Sequence, residues 1–398
     1  MITLSSLEIE QVNRLLSVHY RLASQTYVCM YGQMFMTERE QQILDLIKQD
    51  PMIPQNTLAE MLDLSRSAVA GHIMNLTKKG FIQGKGYVIA PERYVAVIGG
   101  ANMDLCGSSI SDLVIGDSNP GVLTSGAGGV ARNIADNLAR LGSKVQFVGA
   151  IGDDLWGEQL LDACRNASVG IDHCLIVPGR ATSTYLSIHD PKGELQLALN
   201  DMALIDELNV DQLAKRAGVF NRSSAIVLDA NLSDSALDYL FHAHGNKPIF
   251  VDPVSSVKAG KIKPYLEYIH TLKPNLAEAE LLCGYKLQGL DQLPELAGQL
   301  HKMGIKQLLI SLGKQGAYAS DDGQGQFIPA SQTQVNNVTG AGDALMAGLA
   351  HGYTQSWDWQ TSVDFALAAA RLALLSNSTI NSIMSEKAVS RLIEESTC

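Results

Sequence analysis

"PIFVDPVSSVKAGKIKPYLEYIHTLKP" (residues 248–274) is the stretch that decides the fold class. It holds two short apolar runs, IFV and IHTL, separated by a longer and more polar segment, with a proline close behind each. A run that is apolar on successive residues suits a strand covered on both faces, whereas a half-exposed strand alternates. Strand, crossover and strand make a βαβ unit, whose connection is right-handed in nearly every known case. The same rhythm repeats on either side. "YVAVIGG" (94–100), "KVQFVGAIG" (144–152), "AIVLDA" (225–230) and "QLLISLG" (307–313) are further apolar runs ending in or near Gly, Asp or Pro, and helical segments lie between most of them. From residue 94 to 398 the expectation is an α/β domain with a mostly parallel sheet. Ligands of such sheets sit outside the carboxyl ends of the strands, where the polar residues of these runs collect. "TSTYLSIHDPKGELQLALND" (182–201) breaks the rhythm. Two alternating strands around a Pro-Lys-Gly turn predict a hairpin standing off the main sheet as a lid.

Bulk properties narrow the function. The chain has 398 residues, 46% hydrophobic and 18% charged, enough for two or three domains and a large core. A net charge of −11 argues against a surface that binds nucleic acid all over, while a local basic patch remains open. The six cysteines (Cys29, Cys106, Cys164, Cys174, Cys283, Cys398) include no C-x-x-C pair, which fits reduced thiols and neither a zinc framework nor a disulfide set. No apolar run approaches the roughly 18 residues of a membrane span. The opening "MITLSSLEIEQVNRLL" lacks the basic region of a secretory signal. The expected compartment is the cytoplasm, with no membrane partner.

Residues 1–36 carry no motif and read as an N-terminal extension. Residues 37–90 form a helical module. Thr37 and Glu40 make a capping-box pattern ahead of "REQQILDLIKQD"; "QNTLAEMLDL" follows two prolines; Ser65 caps "SRSAVAGHIMNLTKKG"; and "FIQGKGYVI" predicts two β segments around a Gly-Lys-Gly turn. This order resembles the winged helix-turn-helix family. The charges agree: Leu64 to Ala90 holds Arg66, Lys78, Lys79 and Lys85 and no acid, whereas Glu38, Glu40, Asp45, Asp50, Glu60 and Asp63 all come earlier. A recognition helix would put Arg66, Ser67 and His72 near base edges of a DNA operator, with Lys78, Lys79 and Lys85 on phosphates. So few cations give a modest, salt-sensitive affinity per subunit, so a homodimer is expected.

No G-x-x-x-x-G-K-[ST] loop occurs. "GAGGVARN" (126–133) matches a dinucleotide fingerprint only superficially, because it follows a turn-rich segment rather than a buried strand. More telling is "NNVTGAGDALMAGLAHGY" (336–353). Small residues leading into a helix leave main-chain N–H groups facing outward at its positive end, an anion site. Asp343 there reads either as a cap or as a base beside a phosphoryl group, and the residues alone leave both open.

"NNVTGAGDALMAGL" resembles the second signature of the ribokinase-like (phosphofructokinase-B) sugar and nucleoside kinases, and "GGVARNIADNLARLG" (128–142) resembles their first. Within that group "DSNPG", "CLIVPGRATSTYLS", "LALNDM", "VDPVS" and "HTLKPNLAEAE" are most similar to the pseudouridine kinases. The resemblance covers about three quarters of the chain. It implies a three-layer sandwich around a mostly parallel sheet, with a small β lid near 105–125 and 173–202, and ATP-dependent phosphorylation of pseudouridine or a related nucleoside or sugar with Mg²⁺. It implies Asp343 as catalytic base, with the amides of Gly340, Ala341 and Gly342 as anion hole. Asn102, Asp104, Gly129, Asn133 and Thr182 would bind the sugar; Ser311, Gly313, Gly316 and Thr339 the nucleotide; and Asn275 and Glu278, matching N-x-x-E, the metal. One departure stands out: many relatives have an acid six residues before the base that helps to bind potassium, and here that position is Asn337, which puts monovalent-cation activation in question. Two other readings stay open: a kinase for a different nucleoside or sugar, and a transcription regulator that keeps the kinase fold as a sensor.

Overall fold

The computed structural model describes residues 36–78, 81–82, 94–331 and 335–397, and the chain divides into two units between residues 92 and 93. In the first unit, Thr37 Oγ1 accepts from the Glu40 N–H at 3.2 Å while the Glu40 carboxylate accepts from the Thr37 N–H at 2.7 Å. This reciprocal cap starts α1 (Glu38–Gln49). Pro54 leads into α2 (Gln55–Leu62), which ends on Asp63 in the left-handed region. The Ser65 hydroxyl accepts from the Ala68 N–H at 3.1 Å and opens α3 (Arg66–Lys78). Ile43, Leu44, Ile47, Leu58, Val69, Ile73 and Leu76 from the three helices, with Ile82, close one small core. The Gly-Lys-Gly turn and the β segments expected around it lie outside the described residues, apart from Phe81 and Ile82.

In the second unit the strands are β1 (Val95–Ile98), β2 (Asn102–Ser109), β3 (Gly121–Gly128), β4 (Val145–Val148), β5 (Ala150–Gly152), β6 (Leu175–Val177), β7 (Thr184–His189), β8 (Leu195–Asp201), β9 (Ala225–Asp229), β10 (Ile249–Asp252), β11 (Ile269–Leu272), β12 (Gln307–Ser311), β13 (Gly316–Asp321) and β14 (Gln324–Pro329). The main sheet runs β14-β13-β12-β11-β10-β9-β1-β4; it is parallel from β12 to β4, and β13 and β14 turn back antiparallel. Its central strands are apolar on both faces because both are covered. Val95, Val97, Ala225 and Val227 point to the core shared with α4 (Val130–Arg140), α5 (Leu155–Asn166) and, later in the chain, three helices at 341–354, 359–374 and 386–397. Their neighbours Ala96, Ile98, Ile226 and Leu228 point to the other core. That layer holds α6 (Val210–Lys215), α7 (Ala217–Arg222), α8 (Asp234–His244), α9 (Ser256–Ala259), α10 (Leu276–Cys283) and α11 (Leu293–Lys302). The three C-terminal helices are α12 (Ala341–Thr354), α13 (Trp359–Leu374) and α14 (Glu386–Thr397). Each fully buried Leu, Ile or Phe contributes about 1.5–3 kcal/mol, so these two cores hold the layers together.

A second sheet, β3-β2-β7-β8, is separate from the main one and holds most of the segments expected as a lid. β7 and β8 pair antiparallel, the hairpin expected from the alternation, and β2 pairs parallel to β7. Two expectations need correction. "KVQFVGAIG" is two strands: β4 stays in the main sheet, whereas β5 pairs with β6 in a separate two-stranded sheet. Residues 175–177 therefore belong to that small sheet and not to the lid. Among the described residues, no helix is long and apolar enough to cross a membrane.

Candidate active site

Helix α12 begins on Gly340, whose φ of +86° lies in the left-handed region and which has no side chain to cap the helix. A Cβ at this position would overlap the Thr379 carbonyl oxygen, so the turn needs glycine on two counts. First-turn N–H groups have no partner within their own helix. Ala341 and Gly342 present theirs with little side chain in the way, at the positive end of the helix, which suits an anion. Asp343 follows in the same turn, buried, and its Oδ2 accepts from the Asn133 amide at 2.7 Å. Burial lifts its carboxyl to about 7; Asp252 adds to the rise, and the Asn133 bond with the Lys273 and Arg132 cations restrains it. A carboxyl poised there exchanges a proton near neutral pH, the condition that favours general-base chemistry.

Asn133 lies on α4, and its Oδ1 accepts from the neighbouring Arg132 guanidinium. Arg132, 1% exposed, also donates to the carbonyls of Gly128 and Ala127 at 2.9 and 3.0 Å and to Asp136 at 3.0 Å. These acceptors satisfy a guanidinium that would otherwise be costly to bury. Both ends of the Asn133 amide thus have a partner inside the protein, the nitrogen on Asp343 and the oxygen on Arg132.

Asp252 ends β10 and Lys273 follows β11, and they form a buried ion pair of 3.1 Å. The other Asp252 oxygen accepts from the Val254 N–H at 2.8 Å, a turn that leaves the β-branched Val254 at φ +68°. Burial works against the Lys273 charge, but Asp252, Asp343 and Glu278 around it outweigh that and hold the ammonium above its usual range. Asn275 and Glu278 make a second capping box at the start of α10. The Asn275 N–H and side-chain amide donate to the Glu278 carboxylate at 2.9 and 2.8 Å, and the Glu278 N–H donates back at 2.9 Å. Glu278 is buried, and this raises its carboxyl against the pull of Asn275 and Lys273. Among the described residues, no three His, Cys, Asp or Glu side chains are grouped to hold a metal ion. The Glu278 carboxylate is the charged oxygen donor that this pair offers to a hydrated cation.

On the lid side, the Asn102 amide donates to Asp104 at 2.6 Å from the same face of β2. Burial lifts the Asp104 carboxyl, and Asn102 and Arg132 restrain it. Gly129, at φ +97°, passes so close to Gly100 and Ala101 that a Cβ would overlap their backbone. Asp229, at the end of β9, accepts from the N–H groups of Gly100, Ala131 and Asn231 at 3.0, 2.9 and 2.9 Å and ties the two loops together. Sequence reading missed Asp229, Asp252, Lys273 and Arg132; the shared strand-ending Asp of "AIVLD" and "IFVD" was the available signal for the first two. The Thr182 hydroxyl donates to Asp154 at 2.5 Å and accepts from the Gly152 N–H at 3.1 Å, which pins β5.

The Ser311 N–H donates to the Pro274 carbonyl at 2.9 Å, which sets the 311–316 loop beside the Asn275 turn. Gly313 and Gly316 both have positive φ there. Thr339 is exposed, and its N–H donates to Asn337 Oδ1 at 2.9 Å. In the first unit Arg66 and Ser67 are exposed at the start of α3, His72 is half-buried further along it, Lys78 is its last residue, and Lys79 and Lys85 lie outside the described residues.

The pfkB family carbohydrate kinase profile matches residues 92–387, and a winged helix-turn-helix DNA-binding profile matches residues 36–83. The chain belongs to the pfkB carbohydrate kinase family. This kinase is 42% identical to the pseudouridine kinase of Escherichia coli over 77% of its own length and 98% of that protein. It is 38% identical to the uncharacterised sugar kinase YeiI of the same organism over 88% of its length and 97% of YeiI, an alignment long enough to reach into the first unit. A putative sugar kinase from Clostridium perfringens superposes with a TM-score of 0.70 at 32% identity, over 77% of this chain and 96% of that one. The kinase has the ribokinase-like α/β fold and is an ATP-dependent phosphotransferase preceded by a winged helix-turn-helix.

Proposed function

We propose that this kinase phosphorylates the 5′-hydroxyl of pseudouridine. The hydroxyl oxygen attacks the γ-phosphorus of ATP, the bond to the β,γ-bridging oxygen breaks, ADP departs with that electron pair, and Asp343 takes the hydroxyl proton. Such transfer needs positioning and charge stabilisation more than covalent help. The N–H groups of Gly340, Ala341 and Gly342 receive the charge that builds on the group in transit. Asn102, Asp104 and Gly129 hold the ribose, the lid excludes water, and the loop from Ser311 to Gly316, with Thr339, approaches the nucleotide. Mg²⁺ on the phosphates would supply further neutralisation, with Asn275 and Glu278 holding it through its waters.

The observation that carries this reading is the buried carboxyl of Asp343, lifted to about 7 within the helix turn whose amides face outward. The 42% identity to a pseudouridine kinase supports the acceptor. A panel of pseudouridine, N-linked nucleosides and free sugars with ATP tests it: pseudouridine is expected to give the highest kcat/KM. A preference for ribose or uridine would overturn the acceptor and leave the kinase standing.

The first unit is proposed to bind a DNA operator through Arg66, Ser67 and His72, as a homodimer in the cytoplasm, with substrate occupancy altering that binding. An electrophoretic shift unchanged by saturating nucleoside would remove the coupling. Asn337 in place of an acid leaves the potassium site of many relatives without that charge.

A further inference from the structure

The ion pair of Asp252 with Lys273 takes no part in the proton transfer just described, yet it sits in the same cluster. Lys273 is 6% exposed, and its ammonium lies 3.2 Å from the point at which a Gly342 side chain would begin. It therefore borders the main-chain donors that open α12. The other nearby cation, Arg132, already bonds Ala127, Gly128, Asn133 and Asp136. An ammonium has three donors, and Lys273 directs one of them to Asp252 at 3.1 Å. Three carboxyls, Asp252, Glu278 and Asp343, act electrostatically on this single lysine. A phosphoryl group brought up to Gly342 meets these carboxyls, and Lys273 is the protein cation that borders it there.

We propose that Lys273 is a further catalytic residue, whose ammonium donates to the phosphoryl group in transit at the start of α12 while Asp252 holds the ammonium in place. The proposal rests on the kinase reading above. Lys273 forms no bond to phosphorus and moves no proton. It stabilises charge on the equatorial oxygens from the side opposite the solvent, where a fixed cation in a dry site is worth far more than in water. Small size at Gly342 then has a second reason, since any side chain there presses on the ammonium.

The competing role is neutralisation of Asp252 alone, and a double-mutant cycle separates the two. Lys273→Met, Asp252→Asn and the double variant are compared with the full chain for turnover, for nucleoside affinity by calorimetry, and for affinity toward ADP with aluminium fluoride relative to ADP. Lys273→Met is expected to lower kcat by at least about 100-fold, with nucleoside affinity nearly unchanged. It should also erase most of the preference for the fluoroaluminate complex. The double variant, neutral at both positions and so spared a stranded buried acid, is expected to fold and to stay equally slow. Recovery of turnover and of that preference in the double variant overturns the proposal, as does an unaltered preference in Lys273→Met. The fluoroaluminate reading needs no acceptor. A chain that phosphorylates nothing on the panel but still shows the Lys273-dependent preference therefore sinks the pseudouridine assignment and not this one.

Discussion

Asp343 ties the mechanism to pH. Its carboxyl ordinarily titrates near 3.9, and in the folded kinase burial moves it to about 7. The base must be ionised to take a proton, so kcat/KM for the nucleoside is expected to rise through about pH 7 and then level. A pH–rate profile that is flat from 5.5 to 8 would deny Asp343 the role. The same shift has a stability consequence of fixed sign. The folded state binds the proton more tightly than the unfolded state, so this group's contribution is full below about 4 and is lost as pH rises through 7. Asp343→Asn removes that loss and keeps an acceptor for the Asn133 amide. The variant is expected to unfold at higher temperature than wild type at pH 8, by a margin worth about 1–4 kcal/mol, and to match it near pH 4. Its turnover should fall by three orders of magnitude or more while nucleoside binding persists. A sensor that keeps the fold without the chemistry would have no turnover to lose and would show the stability shift alone.

At the scale of elements, legibility in the sequence followed locality. The capping boxes at Thr37–Glu40 and Asn275–Glu278 each lie within four residues, and the first is visible in the bare pattern. Parallel strands were legible because doubly covered strands are apolar without interruption. Gly149 hides the break in "KVQFVGAIG", because nothing local says that the chain changes sheets there. What stayed unread is non-local: Asn133 meets Asp343 from a helix 210 residues earlier in the chain, Lys273 meets Asp252 from the neighbouring strand, and Thr182 meets Asp154 from a different loop. A residue type announces what it can bond and not which partner the fold will bring. Gly340 is the exception, since its reason is local and its effect is not. Gly340→Ala places a Cβ against Thr379 and in a backbone region costing roughly 1–2 kcal/mol for an L-residue. The turn is expected to open and its amides to lose their aim. Turnover should drop by about 100-fold with nucleoside affinity retained and the melting temperature lowered by a few degrees; near-normal kcat in a folded variant would refute the anion-hole assignment.

On the scale of the whole molecule, the lid has two unlike faces. Register places Asp104, Tyr185 and Asn200 in one row and Cys106, Ser187 and Thr124 in the next, the polar face that carries Asp104, proposed to hold the sugar. The other face aligns Leu123, Gly107, Ile188 and Leu197, then Leu105, Leu186 and Leu199. Leu123, Leu197 and Leu199 are 80%, 56% and 59% exposed in the single chain. A contiguous apolar face on so thin a sheet is larger than scattered surface leucines explain and marks an association surface. A second copy of the chain is the occupant that would also serve the proposed operator binding, since an operator of two half-sites requires two helix-turn-helix units. Charging this face leaves the monomer's cores untouched, because these leucines are already in water there. Leu197→Glu with Leu199→Glu is therefore expected to keep the melting transition of the kinase unit, to convert a dimer into a monomer by sedimentation velocity, and to weaken operator binding. KM for the nucleoside should rise as well, because the opposite face of the same strands covers the sugar. A wild-type chain that sediments as a monomer at the concentrations of the assay would refute the dimer, and a charged variant that stays dimeric would place its interface elsewhere.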